Sequence, residues 1–106
     1  MSPRVKRVRR PAGEVFPLSA SCTGDAGVIV RVGPEVDAEG LGRTELERRL
    51  LEMGFVEGAT IRVLHEGFIG RDPIAVQLDD MRVALRRREA ADVMVRSHAP
   101  DIAEPA

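Results

Sequence analysis

Apolar residues recur along this chain with two periods, and the switch between them outlines a fold. Leu46, Leu50 and Met53 stand at helical spacing, with Leu51 widening the stripe, which predicts a helix from about Glu45 to Met53. Thr44-Glu45-Leu46-Glu47 has the Ser/Thr-x-x-Glu form of a capping box at its start. Gly54 can take the left-handed conformation that closes it. So short a helix is not stable alone and must dock on a sheet. Elsewhere the period is two. Val28, Val30 and Val32 alternate with Ile29 and Arg31, and Ile61 and Val63 with Arg62 and Leu64. Ile74, Val76 and Leu78 predict the inner face of a further strand, and Met81, Val83 and Leu85 that of its partner across an Asp79-Asp80 turn. Arg88-Glu89-Ala90-Ala91 favours one helical turn before a last strand over Asp92–Arg96.

Between these runs the composition is that of connections. Residues 1–14 are basic, with two prolines and no period, and are expected to be a disordered arm. Phe16 and Leu18 are placed to lid the core. Ser19–Gly27, the acidic stretch Glu35–Arg43 and the glycine-bracketed Glu66–Asp72 read as loops, and 97–106 as a flexible tail. The expected folded domain is 15–96, mainly β, a small barrel of about five strands with one inserted α-helix packed on it.

Composition narrows the functions. The chain of 106 residues has room for one domain. Its aromatics are only 3%, so the core must be aliphatic. Five of the sixteen basic residues fall within residues 1–10, leaving eleven against seventeen acids in the rest. A mildly acidic body without Trp or Tyr is a poor nucleic-acid binder. No apolar run is long enough to span a bilayer, and no apolar stretch backs the basic N-terminus as in a secretory signal. The single Cys22 forms no internal disulfide and fits a reducing cytoplasm.

Candidate chemistry is sparse. An oriented base in a cleft is not indicated by His65 and His98, so no catalytic residue is expected. Cys22 and His65 are isolated in sequence; only folding can bring them to Glu66 or Asp25, and no metal site is expected. Gly67-x-x-Gly70 lacks the helix and lysine of a phosphate loop, so no cofactor is implied. Arg86-Arg87-Arg88 is the strongest charge run in the folded part, with Arg82, Arg48 and Arg49 candidates to lie near it. It reads as a solvated strand end or as a patch for an acidic surface or anionic lipid. Phe68 and Ile69 between glycines either fold back onto the barrel or form an exposed apolar knob for a partner.

Three segments in register carry a family resemblance: Arg49-Leu50-Leu51-Glu52-Met53-Gly54-Phe55-Val56-Glu57-Gly58, Asp72-Pro73-Ile74-Ala75-Val76, and Val83-Ala84-Leu85-Arg86-Arg87-Arg88-Glu89-Ala90-Ala91. Together they resemble the FeoA family, the small cytoplasmic partner of the ferrous-iron transporter FeoB. Pro17–Asp25 departs from that family's usual Pro-Gly-like lead into its first strand, and the basic arm is extra. The resemblance implies an SH3-like β-barrel and a cytoplasmic, non-enzymatic accessory of iron uptake that binds FeoB and modulates it. Arg48, Arg49, Phe68, Ile69, Arg86 and Arg87 are the expected contacts. The alternatives are an orphan SH3-like scaffold or a metal-responsive regulatory module that binds another protein.

Overall fold

A computed structural model describes residues 10–33 and 45–98. In chain order the strands are β1 (Val15–Pro17), β2 (Ala26–Val32), β3 (Thr60–Ile69), β4 (Asp72–Leu78), β5 (Met81–Leu85) and β6 (Val93–Ser97). The helix α1 (Glu45–Met53) lies between β2 and β3, and 3₁₀ turns occupy Leu18–Ala20 and Arg87–Asp92. All six strands form one antiparallel sheet in the order β1-β6-β2-β3-β4-β5. The expected class, mainly β with one helix, is the observed one, but among the described residues the edge strands β1 and β5 do not pair, so the sheet is open and the expected barrel is not closed. The strand count rises from five to six because the lead-in around Phe16 is itself a strand, pairing Phe16 with Val95. That pairing buries Phe16 and Leu18 in the core.

The helix has the limits its periodicity predicts. Leu50 is buried, and Leu46 and Met53 pack at the core's margin. The Phe55 amide donates to the Leu50 carbonyl and the Gly54 amide to that of Leu51, both at 3.0 Å. These are the paired bonds of a Schellman stop, which needs Gly54 at its positive φ of 109°. The buried Phe55 against Leu50 supplies the accompanying apolar contact. Thr44, the expected N-cap, and the connection Glu35–Arg43 lie outside the described residues. Glu47 is buried against Gly33, where any side chain would collide with its carboxylate.

Ile74, Val76 and Leu78 of β4 are fully buried, as their alternation predicts. The Asp79-Asp80 turn is present, with Asp79 at φ 53°. Its carboxylate accepts from the Thr60 amide (3.0 Å) and hydroxyl (3.1 Å), tying the turn to the start of β3. On β2, whose alternation left the inward face open, the inward residue is Ile29, and a register shift between Ile29 and Arg31 reverses the alternation, so that Val32 then packs on the core. Two expectations change. On β5, Leu85 is buried and Val83 partly so, but Met81 at the start of this edge strand is half-exposed. The supposed loop Glu66–Asp72 is mostly strand, because the β3–β4 ladder continues to Ile69 and Asp72.

The charge layout assigns Arg10 to a disordered arm, yet it is bound to the folded domain. Its guanidinium sits 3.8 Å over the Phe16 ring and pairs with Glu14 and Asp25 at 3.1 Å each. Residues 1–9 and 99–106 lie outside the described residues.

Candidate functional site

The β3–β4 hairpin turns over in two residues, Gly70 and Arg71, both at positive φ (66° and 62°), the geometry of a type I′ turn. Just before it, β3 carries one residue more than β4 between the pairs Glu66–Ile74 and Ile69–Asp72. Gly67 sits in this bulge, and a Cβ there would collide with the Asp72 carbonyl, so only glycine permits the approach. The result is a tip on which Phe68 is fully and Ile69 84% exposed. Of the two readings for this pair, the exposed knob is the one the backbone produces.

Arg87 anchors the tip from beneath. Its amide donates to Asp72 Oδ1 (2.8 Å) and its Nε to the Arg71 carbonyl (2.8 Å). Its Nη1 donates to the carbonyls of Ser19 (2.9 Å) and Ser21 (2.8 Å), and its Nη2 to Glu66 Oε1 (2.9 Å). The other oxygen of Glu66 accepts from the Thr23 amide (2.8 Å) and hydroxyl (3.0 Å). Arg71 approaches Glu66 at 3.4 Å from the solvent side. Burial pushes the Glu66 carboxyl up, but the Thr23 bonds and the charges of Arg71 and Arg87 outweigh it and hold the group below its ordinary value. One arginine thereby joins three segments far apart in sequence: the loop at 19–23, the hairpin, and the Arg87–Asp92 turn.

The six expected contacts therefore divide. Phe68 and Ile69 form the tip. Arg87 has its donors taken inside the fold, and its side chain is only 15% exposed, so it is a positioning residue and not an outward contact. This corrects the reading of 86–88 as one run. Arg86 and Arg88 on either side are exposed and make no ion pair among the described residues, while the Arg86 backbone caps the 3₁₀ turn through Glu89. Arg49 on α1 reaches Glu89 at 3.9 Å, which sets it beside Arg86. Arg48 is exposed and pairs loosely with Glu45 at 3.6 Å on its own helix. Sequence reasoning missed Arg71, Glu66 and Thr23. Only the Gly70-Arg71 pair carries a local signal, because a two-residue turn calls for positive φ.

Nor does folding assemble the metal candidates. Asp25 accepts from the Cys22 amide and from Arg10, Glu66 is bound as described, and His65 is exposed on β3. Among the described residues no three His, Cys, Asp or Glu side chains are grouped to hold an ion. Among them, too, no helix is long and apolar enough to cross a membrane.

The family model described as the FeoA domain matches residues 16–97, nearly all of the described fold. The chain belongs to the FeoA family. Over 78 residues, 74% of the chain, it is 44% identical to the Fe(2+) transport protein A/Fe(2+) transporter FeoB fusion protein of Porphyromonas gingivalis, of whose length it covers only 8%. The crystal structure of an iron uptake regulatory protein, FeoA, superposes with a TM-score of 0.61 at 33% identity, covering 79% of this chain and 99% of that one. A zinc complex of FeoA from Stenotrophomonas maltophilia, described as a procaryotic SH3 domain protein, gives 0.59 at 32% identity over 76% of this chain and 88% of that one. This FeoA domain thus has the SH3-like fold expected of it. The family match starts at Phe16, so it also takes in Pro17–Asp25.

Proposed function

We propose that this FeoA domain serves ferrous iron uptake as a cytoplasmic accessory that binds FeoB and modulates it, with no turnover of its own. The observation that carries the reading is the fused relative, in which a domain 44% identical to this one shares a chain with the transporter. Covalent fusion keeps two domains at high local concentration, and separate chains need a contact surface to replace it. The exposed arginines fit that need. Arg49 pairs with one oxygen of Glu89 and the Arg86 backbone amide with the other, Arg48 is one position along the helix, and a guanidinium fork suits carboxylates on a partner. The test is a pull-down of detergent-solubilised FeoB by the full chain. Arg49→Glu/Arg86→Glu should weaken capture, and added salt should weaken capture by the wild type, because exposed charges are screened over about 8–10 Å at physiological ionic strength. Wild-type protein that captures no FeoB, in detergent or in native membranes, overturns the reading.

A further inference from the structure

The arginines of α1 and the 3₁₀ turn supply a polar contact, but they leave the apolar tip of the β3–β4 hairpin unexplained. We propose that Phe68 and Ile69 insert into the interface of an anionic bilayer, with Arg71 at the headgroups, so that the domain touches membrane as well as transporter. The proposal rests on the FeoB reading only in supposing that the domain works beside a membrane.

Three observations support a lipid surface as the occupant. Phe68 and Ile69 are consecutive and both almost wholly exposed, so the tip is bare on every side. A medium that surrounds the tip covers both side chains, whereas a pocket shaped for one flank covers one. The charge is also arranged by depth. The carboxylates nearest the tip, Glu66 and Asp72, are bonded inward to Arg87, and the 64%-exposed Arg71 guanidinium lies over Glu66 at 3.4 Å with its remaining donors toward solvent. Apolar tip first and cation one step behind is the order of acyl chains and phosphates in an anionic leaflet. Finally, the hairpin is braced at its base. The Arg87 network and the Gly67 bulge hold the hairpin in place, so insertion orders little that is not ordered already.

The chain has neither Trp nor Tyr, so Phe68→Trp places a single fluorophore on the tip. With vesicles of phosphatidylcholine and phosphatidylglycerol, its emission should shift to the blue and be quenched by lipids brominated on the acyl chains. Met81→Trp, at the opposite end of β4 beside Leu78, should do neither. In co-sedimentation, Phe68→Ser/Ile69→Ser in the full chain, with its basic arm intact, should bind these vesicles at least about tenfold more weakly than wild type. Arg71→Glu should bind them more weakly than wild type, with no such difference on pure phosphatidylcholine. An unshifted Phe68→Trp on anionic vesicles overturns the proposal, as does sedimentation that ignores the serine substitutions. A shift produced only by the soluble cytoplasmic part of FeoB, without lipid, overturns it in favour of a protein pocket. FeoB capture in detergent is expected to depend on Arg49 and Arg86, so this proposal and the transporter reading can fail separately.

Discussion

The Arg87 guanidinium meets the Glu66 carboxylate at 2.9 Å across 21 positions of chain, with the two side chains only 15% and 18% exposed. Shielding at that level separates the contact from an ordinary surface pair, because neither salt nor water can fully replace the lost partner. The same guanidinium satisfies the carbonyls of Ser19, Ser21 and Arg71, so it ties the hairpin that carries Phe68 to the rest of the domain.

Arg87→Ala should therefore destabilise the fold by about 2–4 kcal/mol, through a stranded carboxylate and unpaired carbonyls. Arg86→Ala, next to it but exposed, should cost under about 0.5 kcal/mol. Urea denaturation of the two variants checks the contrast, and equal losses would remove the distinction between them.

Glu66 makes part of the stability dependent on pH. Its carboxyl is held below the ordinary 4.5 in the folded state, so the unfolded chain takes up the proton first as pH falls. The stabilisation is thus complete above about pH 5 and is lost as pH drops through the folded value. Glu66→Gln should be less stable than wild type near neutrality, and the gap should narrow progressively in acid. Denaturation midpoints measured from about pH 6 down to about pH 3 test the sign, and a gap that widens in acid would refute it.

Leu50 is 1% exposed and lies where α1 meets the sheet. Leu50→Ala should cost about 2–5 kcal/mol, the sum of lost transfer energy and the cavity left behind. Leu51 on the edge of the same stripe is only partly buried, and its truncation should cost less. Chemical denaturation of both variants measures the difference.

These contrasts separate what local chemistry announces from what distant packing imposes. The limits of α1 were legible because the apolar stripe of Leu46, Leu50 and Met53 and the glycine that ends it are neighbours in sequence. The inner face of β4 and the Asp79-Asp80 turn were legible for the same reason, since period-two alternation and a two-residue turn are local patterns. The three segments that resemble FeoA likewise carry their spacing in the chain itself. Three-residue β1 was not legible as a strand, because its partner β6 closes the other end of the domain and nothing within Val15–Pro17 names it. Sequence likewise left Phe68 and Ile69 with two fates, and the Gly67 bulge against Asp72 chose between them. The three arginines at 86–88 show the division most sharply. All carry the same charge on the same flexible stem, so composition cannot rank them. Only the middle one meets the carbonyls of Ser19 and Ser21 and the Glu66 carboxylate, and only there does the gain in bonds offset the loss of water around a guanidinium. The sequence by itself determined the helix, the inner face of β4 and the family resemblance, because short-range periodicity and turn chemistry encode them. Tertiary structure alone decided which arginine turned inward and which apolar pair stayed out, because both outcomes depend on groups that meet only when the sheet assembles.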